Sequence, residues 1–270
     1  MMFSLKTVRL VVQVCFALLF ILVPWLNARE IHHVTGNLLS FTFFGVPLAD
    51  PLAVVQAFIS SGEVATRALT GAAIALLLAM LLGAVFCSWI CPFGLLSELM
   101  QRVQVRFGRA HPLNGPDGFR GKLWAVGIFL VLLLLFGLPP VLNQLSMPGW
   151  YSRVWQMLQV QHVVPVGGAL LLTALGVDAI LGRRFWCRYC CPQSLLLMVV
   201  QKLSPWRWRV RFTAAKCTCS RMRPCGEACS LGLNPRGSKE QLESECSNCG
   251  DCVVACSRYG KALEQRFTRK

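Results

Sequence analysis

Cys246-Ser-Asn-Cys249-Gly-Asp-Cys252-Val-Val-Ala-Cys256 spaces its cysteines as C-x2-C-x2-C-x3-C. Three thiolates two residues apart can wrap one corner of a [4Fe-4S] cubane. The fourth, three residues further on, points away toward a second cluster. A zinc site more often divides its cysteines into two distant pairs, so the run favours iron–sulfur over zinc.

A second, less regular group precedes it: Cys217-x-Cys219-x5-Cys225-x3-Cys229. Its rear half has the same spacing, whereas its front half is compressed and then interrupted by Ser-Arg-Met-Arg-Pro. In the two-cluster plan each run supplies three ligands to one cluster and one to the other. That plan assigns Cys217, Cys219, Cys225 and Cys256 to cluster 1, and Cys229, Cys246, Cys249 and Cys252 to cluster 2. Residues 212–270 thus read as a small α+β, ferredoxin-like domain with two [4Fe-4S] clusters.

The rest of the chain is of another kind. Hydrophobic residues make up 55% of the 270 and charged residues 14%, with mean hydropathy +0.54. A soluble globule carries nearer a quarter charged. Four apolar stretches, 8–26, 66–86, 123–143 and 160–182, each approach the ~20 residues that cross a bilayer. Residues 1–211 therefore read as an all-α, four-helix transmembrane domain. The first stretch is longer than the apolar region of a cleaved signal peptide and lacks its small-residue cut site. Residues 194–200, SLLLMVV, are too short to span.

The net charge of +15 does not describe a nucleic-acid surface, because the basic residues flank the apolar stretches. Lys6 and Arg9 precede the first span. Arg102, Arg106, Arg109, Arg120 and Lys122 fill the second loop, and 17 of 27 Lys and Arg follow the fourth span. Loops one and three are poor in them. This places both termini and the second loop on the cytoplasmic side of a bacterial inner membrane. The stretch KLSPWRWRVR, 202–211, reads as interfacial tryptophans with arginines on anionic lipid. Fourteen cysteines in tight clusters suit metal binding in a reducing compartment better than disulfides.

The membrane half contains a repeat. FCSWICPFGLL, with Cys87 and Cys91, recurs 100 residues later as WCRYCCPQSLL, with Cys187 and Cys191. Matching spacing, flanks and depth set these four apart as functional, and cluster ligation, a redox thiol pair and a docking surface all remain open. Cys190 and Cys15 read as packing residues. On the outer side His32, His33 and Asp50 could receive protons from a quinol, although lone polar loop residues are usually only solvated. His162 has no partner histidine at matching depth, which speaks against haem. Asp178, near the inner membrane edge, reads as snorkelling or as paired with Arg183.

With these residues on the page, the chain resembles the membrane-bound ferredoxin-type proteins of the NapH/MauN family, from periplasmic nitrate reductase and methylamine utilisation systems. The resemblance rests on the spans, the outer loop GNLLSFTFFGVPLADPLAVVQAFISSG, FCSWICP, WCRYCCP and the two terminal cysteine runs. It implies an electron-transfer component rather than a stand-alone enzyme, passing electrons from the quinol pool through two [4Fe-4S] clusters. The partners it implies are a second ferredoxin-type subunit and periplasmic redox proteins, besides membrane lipid and quinol. It carries the C-x3-C-P role to Cys87, Cys91, Cys187 and Cys191, and cluster ligation to the eight tail cysteines. A rival reading is a maturation factor supplying electrons for assembly of a periplasmic redox enzyme.

Overall fold

The computed structural model describes residues 5–29, 34–37, 40–43, 45–108, 117–136, 142–160, 166–181, 184–219, 224–237 and 239–269. His32, His33, His162, Arg109 and Arg183 lie outside them. Helix α1, Leu5–Ala28, is followed by three short strands: β1 (Val34–Asn37), β2 (Ser40–Phe43) and β3 (Val46–Ala49). They form an antiparallel sheet in the order β1-β2-β3, with Phe41 opposite Leu48 and Ser40 opposite Ala49. The sequence reading treated this stretch as loop; short alternating runs such as SFTF and VPLA instead pair as a meander. Helix α2 (Pro51–Ser61) starts directly after β3 because Asp50 caps it. The Asp50 carboxylate accepts from Leu52 N at 3.1 Å and Pro51 needs no donor at the first helical position.

Helix α3 (Thr66–Leu82) lies close on β3. A Cβ at Gly71 would stand 2.9 Å from Ala49 N, so only glycine permits the approach. Gly83, at φ +77°, stops α3 four residues before the expected end of the second span. Next come α4 (Val85–Trp89), α5 (Pro92–Arg106), α6 (Gly118–Leu135), α7 (Met147–Val160) and α8 (Val166–Leu181). Among the described residues one helix, α1 over Leu5–Leu26, is long and apolar enough to cross a bilayer; α3 and α8 are apolar but shorter. The third loop holds α7.

After α8 a π-helical turn, Trp186–Cys190, leads into α9 (Pro192–Leu203). The tail then runs β4 (Trp206–Phe212), α10 (Pro224–Glu227), α11 (Lys239–Glu245), α12 (Asp251–Cys256) and β5 (Leu263–Arg269). Strands β4 and β5 pair antiparallel from Trp206↔Arg269 to Phe212↔Leu263. The tail core gathers Val210, Leu242, Ala262 and Leu263 around Cys225, Cys252 and Cys256.

This corrects the reading of 202–211. Half of that stretch is a strand of the tail domain, and strand alternation puts Arg207 and Arg209 inside and Trp206 and Trp208 outside. The arginines meet Glu243, not lipid: Arg207 donates to its backbone carbonyl, while Arg209 and Arg211 approach its carboxylate at 3.6 and 3.4 Å. Through β4 this stretch shares a sheet with β5 of the tail.

Candidate functional site

The duplicated motif folds the same way twice. Cys91 caps α5 and Cys191 caps α9, with φ/ψ of −63°/117° and −70°/115°, each followed by proline at the first helical position. A helix N-terminus presents free amides and the positive end of its dipole, which favour an anion. The amides of Phe93 and Gly94 donate to Cys91, and those of Gln193 and Ser194 to Cys191. The C-x3-C spacing adds one turn: the amide of Cys91 donates to Phe86 O and that of Cys191 to Trp186 O, both at 2.9 Å, folding Cys87 and Cys187 back toward their partners.

The structure brings the two copies together. Cys91 and Cys187 pack in one cluster with Phe93, Met147 and Ala174. Cys87 lies within electrostatic reach of Cys91 and Cys191, and Cys187 of the same two. All four are free thiols.

Two cations flank the group, and sequence reading gave neither a role there. Lys122 is fully buried; its Nζ donates to Cys187 O at 2.7 Å and to Ser194 Oγ. Arg184 is 1% exposed and donates to Cys87 O at 2.8 Å. Each cation thus holds the carbonyl of the first cysteine of one copy. Two residues after the shared proline, the first copy has Gly94 where the second has Ser194. A Cβ on Gly94 would come 2.5 Å from Arg184 Nη2, so the glycine opens the cradle for that guanidinium.

Among the described residues no carboxylate lies within ion-pair distance of Lys122 or Arg184. An isolated buried cation is costly. Glu98 lies within electrostatic reach of Arg184 and Glu245 of Lys122, and the repeat thiolates add to that counter-charge; four of them around a [4Fe-4S]2+ core would carry net −2. Among the described residues no three His, Cys, Asp or Glu close on a single metal ion. A cubane sets its ligands wider apart than one ion does, so the donor chemistry and the charges fit a cluster better than zinc.

The tail cysteines lie in two neighbourhoods. Cys229, Cys246, Cys249 and Cys252 line one small enclosed cavity, walled by Val210, Leu231, Leu233 and Leu242. Cys219 lies within electrostatic reach of Cys217 and Cys256, and Cys225 of Cys256. Helix α12 carries Cys252 and Cys256 on one face, separated by about 6 Å along its axis. Asn248, at φ +54°, bends the run so that its amide donates to Cys246 Sγ at 3.4 Å. Its side-chain amide donates to Leu82 O and Trp208 O, each at 2.8 Å.

The tail run and the membrane repeat are in direct contact. Ser88 Oγ donates to Ser247 O at 2.6 Å and Trp89 Nε1 to Asn248 O at 3.3 Å. These two residues sit between Cys87 and Cys91. In the second copy Arg188, between Cys187 and Cys191, pairs with Glu245 at 3.0 Å and donates to Leu231 O at 3.0 Å. Glu245 immediately precedes Cys246. Arg9, read from sequence only as a topology charge, is buried and binds Glu98 at 2.6 Å and Asp251 at 2.9 Å, tying α1 and α5 to the tail.

The 4Fe-4S binding domain family matches residues 64–110 and 163–211. Both matches contain a C-x3-C-P motif and neither reaches the tail cysteines. The chain is 29% identical to the ferredoxin-type protein NapH of Escherichia coli, over 93% of this chain and 85% of that protein. It is 26% identical to the methylamine utilization ferredoxin-type protein MauN of Methylobacillus flagellatus, over 92% of this chain and 74% of that protein. The chain resembles the NapH/MauN ferredoxin-type proteins along most of its length. The putative electron transport protein YccM of Escherichia coli is 30% identical over 67% of this chain and 51% of its own length, so that likeness stops well short of the whole protein. No solved structure matches the chain. Its NapH/MauN-like span includes the outer sheet, both repeats and the cysteine-rich tail.

Asp178 is buried and accepts from Trp186 N at 2.7 Å and from Ser97 Oγ, which ties α5 and α8 to the second repeat; Arg183 lies outside the described residues. Asp50 is buried beneath the outer sheet. Cys15 is exposed and lines a cavity, so it is not a packing residue. Cys190 is half-buried beside its repeat.

Proposed function

We propose that this protein is a membrane-bound iron–sulfur electron carrier working between the quinol pool and the redox partners of a periplasmic nitrate reductase or methylamine utilisation system. Four spans with both termini cytoplasmic hold the repeat at the inner face. The tail carries two [4Fe-4S] clusters, on Cys217, Cys219, Cys225 and Cys256 and on Cys229, Cys246, Cys249 and Cys252. Cys87, Cys91, Cys187 and Cys191 hold a further one. A cubane supplies a one-electron step whose potential follows burial and hydrogen bonds to sulfur.

The carrying observation is continuity. The four repeat cysteines touch the Cys246–Cys252 run through Ser88, Trp89 and Arg188, and that run shares α12 with Cys256. Electrons entering at the repeat have an unbroken sequence of cysteine groups to the tail surface. The chain's own groups do the tuning: Lys122 and Arg184 offset negative charge, and the α5 and α9 amides stabilise thiolate. Anaerobic purification with iron and sulfide counting tests this directly. The expected content is about twelve irons, four per cubane, with reducible signals in low-temperature EPR; stoichiometric zinc without iron sinks the reading.

A further inference from the structure

A cavity of about 410 Å³ opens between α1, α3, α4 and the outer sheet. That volume lies in the range of small-molecule sites, roughly 300–1,000 Å³. Its walls are almost wholly apolar, and its mouth is formed by Cys15 of α1 with Leu78 and Leu82 of α3, all exposed on the apolar outside of the bundle. At its inner end Phe86 and Ile90 stand next in sequence to Cys87 and Cys91.

Two polar side chains break the apolar wall, Asp50 and Gln193. Asp50 is 4% exposed; one carboxylate oxygen caps α2 and the other, Oδ2, has no hydrogen-bond partner among the described residues. A buried carboxylate oxygen left unsatisfied costs stability unless a ligand satisfies it. Gln193 follows Cys191 by two residues and its Oε1 accepts from Ser146 at 3.0 Å. Asp50 also lies within electrostatic reach of Cys191. A lipid-facing mouth, apolar walls and an unpaired proton acceptor beside a thiol cluster describe one kind of ligand.

We propose that this cavity binds the head of a prenyl-tailed quinol, that Asp50 Oδ2 takes the quinol's protons, and that its electrons leave through Cys87, Cys91, Cys187 and Cys191. The proposal rests on the electron-transfer reading above. Oxidation of one quinol to quinone breaks two O–H bonds and releases two protons and two electrons. Each proton passes to Asp50 Oδ2 and on to water at the outer face, so the carboxyl works twice per quinol. Each electron reduces the iron–sulfur group at the four cysteines by one, and that group is reoxidised by the tail clusters before the next. Burial pushes the Asp50 carboxyl up to about 6, which lets it accept a proton and give it back near neutrality.

The test uses the full-length, iron-loaded protein in detergent, with a short-tailed ubiquinone and a short-tailed menaquinone as probes. Calorimetric titration reads binding, and EPR reads reduction of the iron–sulfur centres by the corresponding quinols. Ala75→Phe, which fills the cavity from α3, is expected to weaken quinone binding by at least about tenfold, 1.4 kcal/mol, with iron content unchanged. Asp50→Asn keeps the cap on Leu52 and is expected to bind quinone within about threefold of the parent. Its reduction by quinol should slow by about a hundredfold, a typical loss for a proton-transfer group, while dithionite still reduces it fully. An Asp50→Asn protein that oxidises quinol at the parent rate overturns the role of Asp50, and binding indifferent to both Ala75→Phe and Ala79→Leu overturns the site. So does a cavity that takes phospholipid and no quinone. Each of these would occur in a protein that still holds iron, whereas a preparation without iron defeats the parent reading instead.

Discussion

Replacing Arg188 by methionine should cost far more than its single ion pair suggests. Its guanidinium and the Glu245 carboxylate are 5% and 1% exposed and 3.0 Å apart. Methionine fills similar space but leaves Glu245 buried with the Gly118 amide, at 2.9 Å, in place of a cation. Removing one partner of a buried pair costs about 3–5 kcal/mol, because the other charge stays desolvated. At about 2–4 °C per kcal/mol for a chain above 150 residues, the melting midpoint should fall by roughly 6–20 °C. The exposed pair Lys216–Glu264, at 3.1 Å with side chains 56% and 46% exposed, is the control. Lys216→Met should cost about 0–1 kcal/mol. The double variant Arg188→Met/Glu245→Gln should recover most of the loss, since no charge is then stranded. Thermal unfolding in detergent, followed by circular dichroism and by loss of visible absorbance, measures all three. If Arg188→Met melts within about 1 kcal/mol of the Lys216 control, or the double variant recovers nothing, the contact is not the electrostatic joint between repeat and tail described here.

Lys122→Met removes a buried positive charge beside the repeat thiols, so adding an electron there becomes harder by on the order of 2 kcal/mol. Redox titration by EPR should show one centre shifted to lower potential and the others unmoved. Cys229→Ser takes a ligand from the cavity that Cys246, Cys249 and Cys252 share; iron should fall by about four per chain, one cubane, with the other centres still reducible. For Asp50 the folded carboxyl is raised from 3.8 to about 6, so the folded state holds the proton more tightly than the unfolded one. Stability therefore falls as pH rises through that window, by about 3 kcal/mol in all, 2.2 units at 1.36 kcal/mol each. Asp50→Asn should match the parent below about pH 4 and melt higher than it above about pH 6, gaining stability where it loses quinol turnover.

Much of the chemistry was legible because cysteine spacing is a local property. The C-x2-C-x2-C-x3-C run and the 100-residue repeat state which thiols can share a ligand, and the structure places Cys229 with Cys246, Cys249 and Cys252 on one cavity. The reading went astray where a charge was judged by its place along the chain. Arg9, Lys122 and Arg184 look like topology signals, since basic residues at the ends of apolar stretches usually are. KLSPWRWRVR looks interfacial by composition, and only the pairing of β4 with β5 shows its arginines turned onto Glu243. The outer sheet was missed because four-residue strands fall below the length at which alternation stands out from loop.

Sequence alone determined the donor atoms: fourteen cysteines, their two spacings, the duplication and the apolar bulk beside them. Tertiary structure alone decided that residues a hundred positions apart form one four-thiol group, that two buried cations flank it, and that a buried aspartate faces the cavity next to it. The reason is that ligand spacing is written within one or two helical turns. Charge compensation and cavities arise between elements, where packing and desolvation choose neighbours that the order of residues does not name.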